Sequence, residues 1–278
     1  RDQAPAAPAH RPGTTMGIRI TSPDFHARGS KLSRFVILST GRSGSNLLCW
    51  ALSEHPNVHS FLEPLKTVKG DVIGGQSFAD WDDPIEFCER VIWNPANAGG
   101  KTTIGFKLFF AHARQKLSHM VIWDYLRERD DVKKVILIRE NVIDQYLSFL
   151  RAKNSGYWHA ESLKQRNVDL DVARRRYNRK IWVNPRAVRH QLDSLYAGQS
   201  WLINNFSDKN SIRIDYTAMS QDLQGVMNRV FDFLGEEPVT IATKFDPLGK
   251  TNHSAFVQNF EQIQARLMPT IYFEMLRP

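Results

Sequence analysis

Four short apolar runs divide the chain. They are Phe35–Ser39, Thr103–Phe110, Lys134–Ile138 and the weaker Ser211–Ile214. Short runs that are apolar on both faces are typical of strands buried inside a parallel sheet. The pattern therefore predicts a buried parallel sheet built from these four segments.

Helical periodicity fills the intervals between these runs. Apolar residues recur at helical spacing in Asn46–His55, Val142–Lys153, Val188–Asn205 and Leu223–Leu234. Strands that alternate with helices favour an open sheet covered on both faces. We therefore predict an α/β protein with a P-loop-like three-layer fold, in which helices flank a central parallel sheet.

The first residues lack this periodicity. The segment 1–15 is rich in Pro and Ala, so we predict a disordered or extended tail over 1–30 and a single domain over 31–278. No apolar run approaches the ~20 residues that cross a bilayer, and we expect a soluble protein. The hydrophobic fraction of 42% is sufficient for a core in a chain of 278 residues.

The net charge of +8 favours anionic partners. Nucleotide phosphates, acidic glycans, nucleic acid and membrane surfaces all meet that description. The nine histidines form no HExxH pattern, and the two cysteines, Cys49 and Cys88, lie far apart. We therefore expect no metal site.

A glycine- and serine-rich turn follows the first predicted strand. Its residues are Gly41-Arg42-Ser43-Gly44-Ser45-Asn46. A strand, such a turn and then a helix direct backbone N–H groups and a helix N-terminus at an anion. Arg42 adds a planar guanidinium suited to phosphate or sulfate oxygens. The alternative is an ordinary turn between a strand and a helix.

A second stretch imitates a nucleotide-binding loop. Gly100-Lys101-Thr102 matches the end of the GxxxxGK[ST] pattern, but Pro95 occupies the position of its first glycine. The stretch also leads into a predicted strand instead of into a helix. We interpret it as a turn.

Arg139 directly follows the third predicted strand, where a P-loop ATPase would need an acidic Mg²⁺ ligand. An arginine beside a helix N-terminus instead makes a second anion site next to the first. This pattern favours a metal-free, arginine-rich nucleotide site. The alternative is an ion pair of Arg139 with Asp144 or Glu140 at the surface.

The chain resembles sulfotransferases that use 3′-phosphoadenosine 5′-phosphosulfate (PAPS), and within them the bacterial Stf-type carbohydrate sulfotransferases. The resemblance extends from about Arg34 onward. It is carried by the RSGSN loop and by three further patches, which read VILIRENVIDQYLSFLRAKNSGYWH, IRIDYTAMSQDLQGVMNRVFDFLGEE and GKTNHSAFVQNFEQI. Asn46 replaces the threonine that usually ends the family's loop, and its amide can still donate a hydrogen bond.

The resemblance implies the donor site. The loop from Arg42 to Asn46 would hold the 5′-phosphosulfate, and Arg139 with Ser148 would hold the 3′-phosphate. Tyr216 would pack near the adenine, although a core tyrosine fits equally well. Lys250, in the C-terminal basic loop, would close on the nucleotide.

For the general base we favour Glu63, which follows the first helix and matches the position of the family's catalytic glutamate. We expect partial burial to raise its pKa. The alternatives are a solvent-facing glutamate before Pro64, or a histidine base at His59 or His112. Other branches of the family use a histidine after a strand and a lysine.

Charge on the transferring group would be stabilised by Arg42, by the loop amides and by Lys107, unless Lys107 is a surface lysine. Tyr157, Trp158 and His159 would contact the acceptor, with the two aromatic rings stacked on a sugar face. They fit a core or an interface equally well. We interpret the basic run 173–180 as a solvated helix face, which leaves an acidic acceptor or headgroups as the alternative.

The predicted function is in-line transfer of a sulfuryl group from PAPS to a hydroxyl of a carbohydrate or glycolipid, with a glutamate base. A P-loop small-molecule kinase and a non-catalytic nucleotide-binding protein are the alternatives. We expect a cytoplasmic protein without metal or nucleic-acid partners. A peripheral contact with the inner membrane face and a homodimer stay open.

Overall fold

The computed structural model describes most of the chain. The described residues are 32–68, 70–114, 116–159, 167–244, 247–249 and 252–276. The predicted tail over 1–30 lies outside them, and so does Lys250.

A five-stranded parallel sheet forms the centre of the protein. Its strands are β1 (Ser33–Ser39), β2 (Val58–Phe61), β5 (Thr103–Phe109), β6 (Val132–Ile138) and β7 (Ser211–Asp215). Their order across the sheet is β2-β5-β1-β6-β7. The strands β3 (Val72–Ile73) and β4 (Gln76–Ser77) form a separate antiparallel pair. The sheet confirms the predicted α/β fold, and β2 is a strand that was not predicted.

Helices connect the strands. In chain order they are α1 (Ser45–Ser53), α2 (Pro84–Phe87), α3 (Val121–Glu128), α4 (Val142–Ser155), α5 (Leu170–Tyr177), α6 (Val188–Phe206), α7 (Tyr216–Gln221), α8 (Leu223–Leu234), α9 (His253–Phe256) and α10 (Phe260–Leu267). The sequence sets their ends locally. Asn141 accepts a hydrogen bond from the Asp144 amide at the start of α4, and Gly156 ends that helix with a φ of 78°.

Two apolar layers cover the sheet. Alternate residues of β1 point to opposite faces, so Val36 belongs to one buried cluster and Ile37 to the other. The first cluster includes Trp93 and Phe206, and the second includes Phe231. Burial on both faces explains why the strands are largely apolar.

The strand order determines where a ligand can bind. From β1 the chain passes to β2 and then β5 on one side of β1, and it next crosses to β6 on the other side, so the strand order reverses at β1. In open α/β sheets the crevice for a ligand lies beyond the carboxyl ends of the strands, at the point of reversal. The turn after β1 lies at this edge.

Gly100 belongs to a turn before β5, and Lys101 donates from Nζ to the His55 carbonyl at 2.7 Å, as expected for a turn and not for a nucleotide loop. Arg175 and Arg176 on α5 are exposed, as predicted for a solvated face. None of the helices in the described ranges combines the length and apolar character needed to span a bilayer.

Candidate active site

A cavity of about 650 Å³ lies beyond the carboxyl ends of the five parallel strands. The segment that follows each strand contributes to its wall. These groups are the loop Gly41–Asn46 after β1, Glu63 after β2, His112 after β5, Arg139 after β6 and Tyr216 after β7, although Ser43 of that loop is buried behind the wall. The fold therefore brings residues that are distant in sequence to one edge of the sheet.

The loop after β1 has a backbone shaped for an anion. Arg42 and Gly44 have φ values of 67° and 90°. A Cβ on Gly44 would lie 2.7 Å from atoms of Tyr216 and Met219, so glycine is required by space as well as by conformation. Gly44 is also the N-cap of α1, and no side chain among the described residues caps the helix amides. Those amides are available to an anion.

The loop serines do not contribute equally. Ser43 is fully buried, and its hydroxyl lies 2.6 Å from that of Ser39, which in turn donates to the Leu137 carbonyl at 2.7 Å. The Ser43 side chain thus anchors the loop to β6 and does not face the cavity. Ser45 and Asn46 line the cavity, as the prediction requires.

Arg42 and Ser148 meet at one end of the cavity. The Nε and Nη2 atoms of Arg42 donate to the Ser148 hydroxyl at 3.2 and 3.1 Å, and its Nη1 atom donates to the Trp158 carbonyl at 2.7 Å. The family resemblance predicts Arg42 at the transferring sulfuryl group and Ser148 at the 3′-phosphate. The structure instead groups the Arg42 guanidinium with Ser148.

Arg139 lies at the same end. Its Nη1 atom donates to the Arg42 carbonyl at 3.3 Å, and its guanidinium carbon lies 4.1 Å from the centre of the Tyr216 ring. The Nε atom is buried and has no hydrogen-bond partner in the described part of the chain. A buried guanidinium with an unused donor is suited to bind an anion.

The predicted ion pair of Arg139 with Asp144 is present, but it is buried and not at the surface. The Nη2 atom of Arg139 lies 3.4 Å from Asp144 Oδ2, but Arg139 is only 9% exposed. Asp144 also lies 2.5 Å from His253 Nε2. Burial raises the pKa of Asp144, but His253 and Arg139 outweigh burial, and the net pKa is lowered. Glu140 pairs instead with Arg213.

Glu63 lies at the other end of the cavity, between two lysines. Its Oε1 atom is 3.1 Å from Lys107 Nζ, and its Oε2 atom is 3.0 Å from Lys66 Nζ. Lys107 is completely buried and also donates to the side-chain oxygen of Asn46. The alternative of a surface lysine at position 107 is therefore wrong, because Lys107 links Glu63 to the loop.

The protonation of this end differs from the expectation. Burial raises the pKa of Glu63, but Lys107 and Lys66 outweigh burial and lower the pKa to about 2. The expectation of a raised pKa is wrong, and Glu63 is a carboxylate at neutral pH. It is half-buried and not a solvent-facing turn residue.

Two histidines were alternatives to Glu63. His112 Nε2 lies 3.9 Å from Glu63 Oε2, and burial lowers the His112 pKa to about 4, so the ring is neutral at pH 7. Its buried Nδ1 atom has no hydrogen-bond partner among the described residues. His59 packs on the Phe61 ring at 4.3 Å and is not among the described residues that line the cavity.

The predicted acceptor residues separate into two groups. Trp158 and His159 line the cavity, and burial lowers the pKa of His159 to about 3. Tyr157 packs instead near Tyr177 in a small apolar cluster, and Arg176 lies 5.5 Å from its ring centre. The assignment of Tyr157 to the acceptor site is therefore not supported by its position.

Several residues of the site were not predicted, among them Lys66 and Trp50 in the cavity wall and His253, which contacts a wall residue. Lys66 contacts Glu63, Trp50 lies edge-on to His159 with the ring centres 5.9 Å apart, and His253 contacts Asp144. The position of Lys66 three residues after Glu63 gave a local signal. Trp50 occurs on an otherwise apolar helix, and His253 lies 109 residues from its partner, so neither had a clear signal.

Residues 125–260 match the family model described as Stf0 sulphotransferase. The matched region contains Arg139, Ser148, Trp158 and Tyr216, and it does not include the loop after β1 or Glu63. No curated protein sequence matches the chain.

Solved sulfotransferase structures are similar to this chain over most of its length. A sulfotransferase from Alicyclobacillus acidocaldarius has a TM-score of 0.44 and 16% identity, with 87% of this chain and 93% of that chain covered. The sulfotransferase domain of the curacin biosynthetic pathway has a TM-score of 0.42 and 15% identity, with 88% and 83% covered. A sulfotransferase from Mycobacterium avium has a TM-score of 0.39 and 11% identity, with 87% and 76% covered.

Proposed function

We propose that this chain is a sulfotransferase and that it transfers a sulfuryl group from PAPS to a hydroxyl of a carbohydrate or glycolipid acceptor. The observation that carries the proposal is the charge of the cavity wall. Among the described residues the wall has five cations and two carboxylates. The cations are Arg42, Lys66, Arg139, Arg151 and Lys244, and the carboxylates are Glu63 and Asp144. An excess of three positive charges fits a nucleotide that carries phosphates at two positions.

The residues present fit such a donor. The loop amides after β1 would hold the 5′ end, and Arg139 with Arg42 and Ser148 would hold the 3′-phosphate. The unused Nε donor of Arg139 supports this assignment, because a bound phosphate would satisfy it. Tyr216, beneath the Arg139 guanidinium, would border the nucleoside.

The other end of the cavity has the groups that the acceptor hydroxyl requires. When bound, PAPS would supply an activated sulfuryl group, and Glu63 would accept the proton of the attacking hydroxyl. Lys107 lies between Glu63 and the loop, so it would stabilise negative charge on the transferring group. An anionic donor near Lys107 would also offset the lysine charge and raise the pKa of Glu63 toward a value useful for a base.

Titration calorimetry tests the donor assignment. Adenosine 3′,5′-bisphosphate should bind at least about tenfold more tightly than adenosine 5′-monophosphate, because a charge-assisted pair with Arg139 is added. ATP with Mg²⁺ should bind more weakly than the bisphosphate. Tighter binding of ATP with Mg²⁺ would contradict the proposal and favour a kinase.

The acceptor class is tested by transfer. Incubation with ³⁵S-labelled PAPS and a panel of sugars and glycolipids should label at least one member of the panel. The cavity-lining rings of Trp50 and Trp158 support a sugar, because flat aromatic faces bind the apolar face of a pyranose. Labelling of a peptide or a phenol, with no labelled sugar, would replace the proposed acceptor.

The location and assembly belong to the same proposal. We place the reaction in the cytoplasm, at the inner membrane face for a glycolipid acceptor. The free, buried thiols of Cys49 and Cys88 are compatible with a reducing compartment. Sedimentation equilibrium would test the homodimer, which is proposed from the family resemblance alone.

A further inference from the structure

Two buried glutamines connect the two proposed anion-binding elements. Gln145 on α4 is 1% exposed and Gln199 on α6 is 4% exposed. The Gln199 amide nitrogen donates to the Gln145 side-chain oxygen at 2.9 Å. Buried amides are costly unless they are hydrogen-bonded, so their partners indicate what they hold in place.

At Arg139, the Gln199 side chain makes the backbone hydrogen bonds that a neighbouring strand would otherwise make. The last pair of residues between β6 and β7 is Ile138 with Asp215, so Arg139 lies beyond the ladder. Its N–H donates to the Gln199 side-chain oxygen at 3.2 Å, and its C=O accepts from the Gln199 amide nitrogen at 3.1 Å. One side chain thus satisfies both backbone groups of Arg139 and fixes where this residue leaves the sheet.

Gln145 makes the corresponding contact to the loop. Its amide nitrogen donates to the Gly41 carbonyl at 2.6 Å and to the Thr40 hydroxyl at 2.7 Å. Both contacts lie at the start of the loop, before the amides that face the cavity. The hydrogen bonds therefore run without a break from the Arg139 backbone through Gln199 and Gln145 to Gly41.

The packing around the pair is close enough to fix it. Gly198, next to Gln199, leaves little space for a side chain, because an added Cβ would lie 3.0 Å from the Phe110 ring and 3.3 Å from the Thr40 methyl group. This close approach of α6 to the loop brings Gln199 within reach of Gln145 and Arg139. Two adjacent buried amides in such packing leave little freedom for the distance between loop and arginine.

We propose that Gln145 and Gln199 are positioning residues that set the distance between the two anion sites, and so make binding of a doubly phosphorylated nucleoside cooperative. The inference rests on the proposed function, because it assumes one ligand that occupies both sites. When the two sites are held at the correct distance, the second phosphate binds as an intramolecular event. A ligand with one phosphate occupies only one of the sites, so its affinity does not depend on that distance.

The test is a ligand cycle with adenosine and its 5′-monophosphate, 3′-monophosphate and 3′,5′-bisphosphate. Calorimetry on the full chain is done for the wild type, Gln145→Met and Gln199→Met, which keep length but remove the hydrogen bonds. In both variants, we expect bisphosphate affinity to fall roughly tenfold and each monophosphate affinity to change less than about threefold. The KM for PAPS should rise while kcat at saturating PAPS changes little.

Gln224→Met is the matched control. The Gln224 side chain also satisfies two backbone groups, the Val239 carbonyl at 3.0 Å and the Ile241 amide at 3.1 Å, but it lies outside the set of described cavity residues. Its variant should lower Tm and leave all four affinities unchanged.

The outcomes separate the two proposals. A wild type that does not prefer the bisphosphate over both monophosphates refutes the proposed donor. A wild type that prefers it, with the same preference in both variants, refutes the role of the glutamines. An equal loss for all phosphorylated ligands, or the failure of both variants to fold, assigns the two amides to the core and also overturns the inference.

Discussion

Glu63 and Glu89 both lie between two cations, at opposite ends of the sheet. Glu63 is near the carboxyl ends of the strands and contacts Lys107 and Lys66. Glu89 is near the start of β1, where it lies 3.1 Å from Arg34 and 2.7 Å from Arg129. The side chains have similar exposure, at 20% and 32%. The net charge of their surroundings is nevertheless different.

The charges around Glu89 balance one another. Arg129 binds Asp131 through two parallel contacts of 2.5 and 2.6 Å, Arg34 lies 3.7 Å from the same carboxylate, and the Tyr125 hydroxyl donates to Glu89. Two arginines thus face two carboxylates. Among the described residues, the cavity wall has five cations for two carboxylates, and the buried Arg139 Nε has no partner. The excess of positive charge, and not the presence of arginine, distinguishes a site for an anion from a structural cluster.

The largest expected effect separates the two glutamates. Glu63→Gln should lower kcat by about 10²- to 10⁴-fold, because it removes the proposed base, and should also lower Tm, because the buried Lys107 loses its carboxylate partner. Glu89→Gln should leave kcat within about twofold and lower the free energy of unfolding by about 1 to 3 kcal/mol, since it breaks a half-exposed network. Both are measured by ³⁵S transfer and thermal unfolding. Unchanged transfer by Glu63→Gln would leave His112 as the base.

A pair of arginines gives the next contrast. Arg139→Met should weaken adenosine 3′,5′-bisphosphate by about 10²- to 10³-fold, because the 3′-phosphate loses its buried partner, and should weaken the 5′-monophosphate much less. Arg129→Met should lower Tm without a change in either affinity. Equal weakening of both nucleotides by Arg139→Met would contradict a specific contact with the 3′-phosphate.

The smallest effect concerns stability against pH. The native pKa of His112 is about 4, because burial opposes its charge, whereas the unfolded chain titrates near 6.5. The unfolded state therefore binds more protons in this interval, so stability is complete above about pH 6.5 and falls by up to about 3 kcal/mol as the pH is lowered to about 4. At the Glu89 end of the sheet, hydrogen bonds from Arg129 lower the pKa of Asp131 below 3.8. The stability that this carboxylate contributes is therefore lost only in more acid solution.

His112→Phe should flatten the decrease between pH 6.5 and 4 in urea unfolding curves. His190→Gln, on the exposed start of α6, is the matched histidine control. An identical slope in the wild type and in His112→Phe would show that His112 is not buried in the neutral form.

The sheet was predictable because its strands are buried on both faces. Four of the five parallel strands follow from apolar runs, with ends that differ by two residues or fewer. The fifth, β2, was missed because it is short, lies at the edge of the sheet and alternates buried Val58 and Ser60 with less buried residues. In such a strand half of the positions carry no apolar signal.

The cavity was predictable in part. Four groups come together because each directly follows a parallel strand or lies on the helix after one. They are the loop, Glu63, Arg139 and Ser148. Side-chain directions within the site were not predictable. The burial of Lys107 depends on Glu63 and Asn46, and the orientation of Arg42 depends on Ser148, 106 residues away. Contacts of that range leave no trace in local periodicity.

β2 lies at the edge of the sheet, and a long segment connects it to β5. Residues 62–102 form an excursion between β2 and β5, and this excursion contains Glu63, the β3–β4 hairpin and α2. Part of this excursion belongs to the core, because Phe87 and Trp93 pack in the same buried cluster as Val36 of β1, but its exposed residues take no part in the pairing of β1 with β6. The surroundings of Glu63 can therefore vary at these exposed positions while the groups between β1 and β6 stay in place.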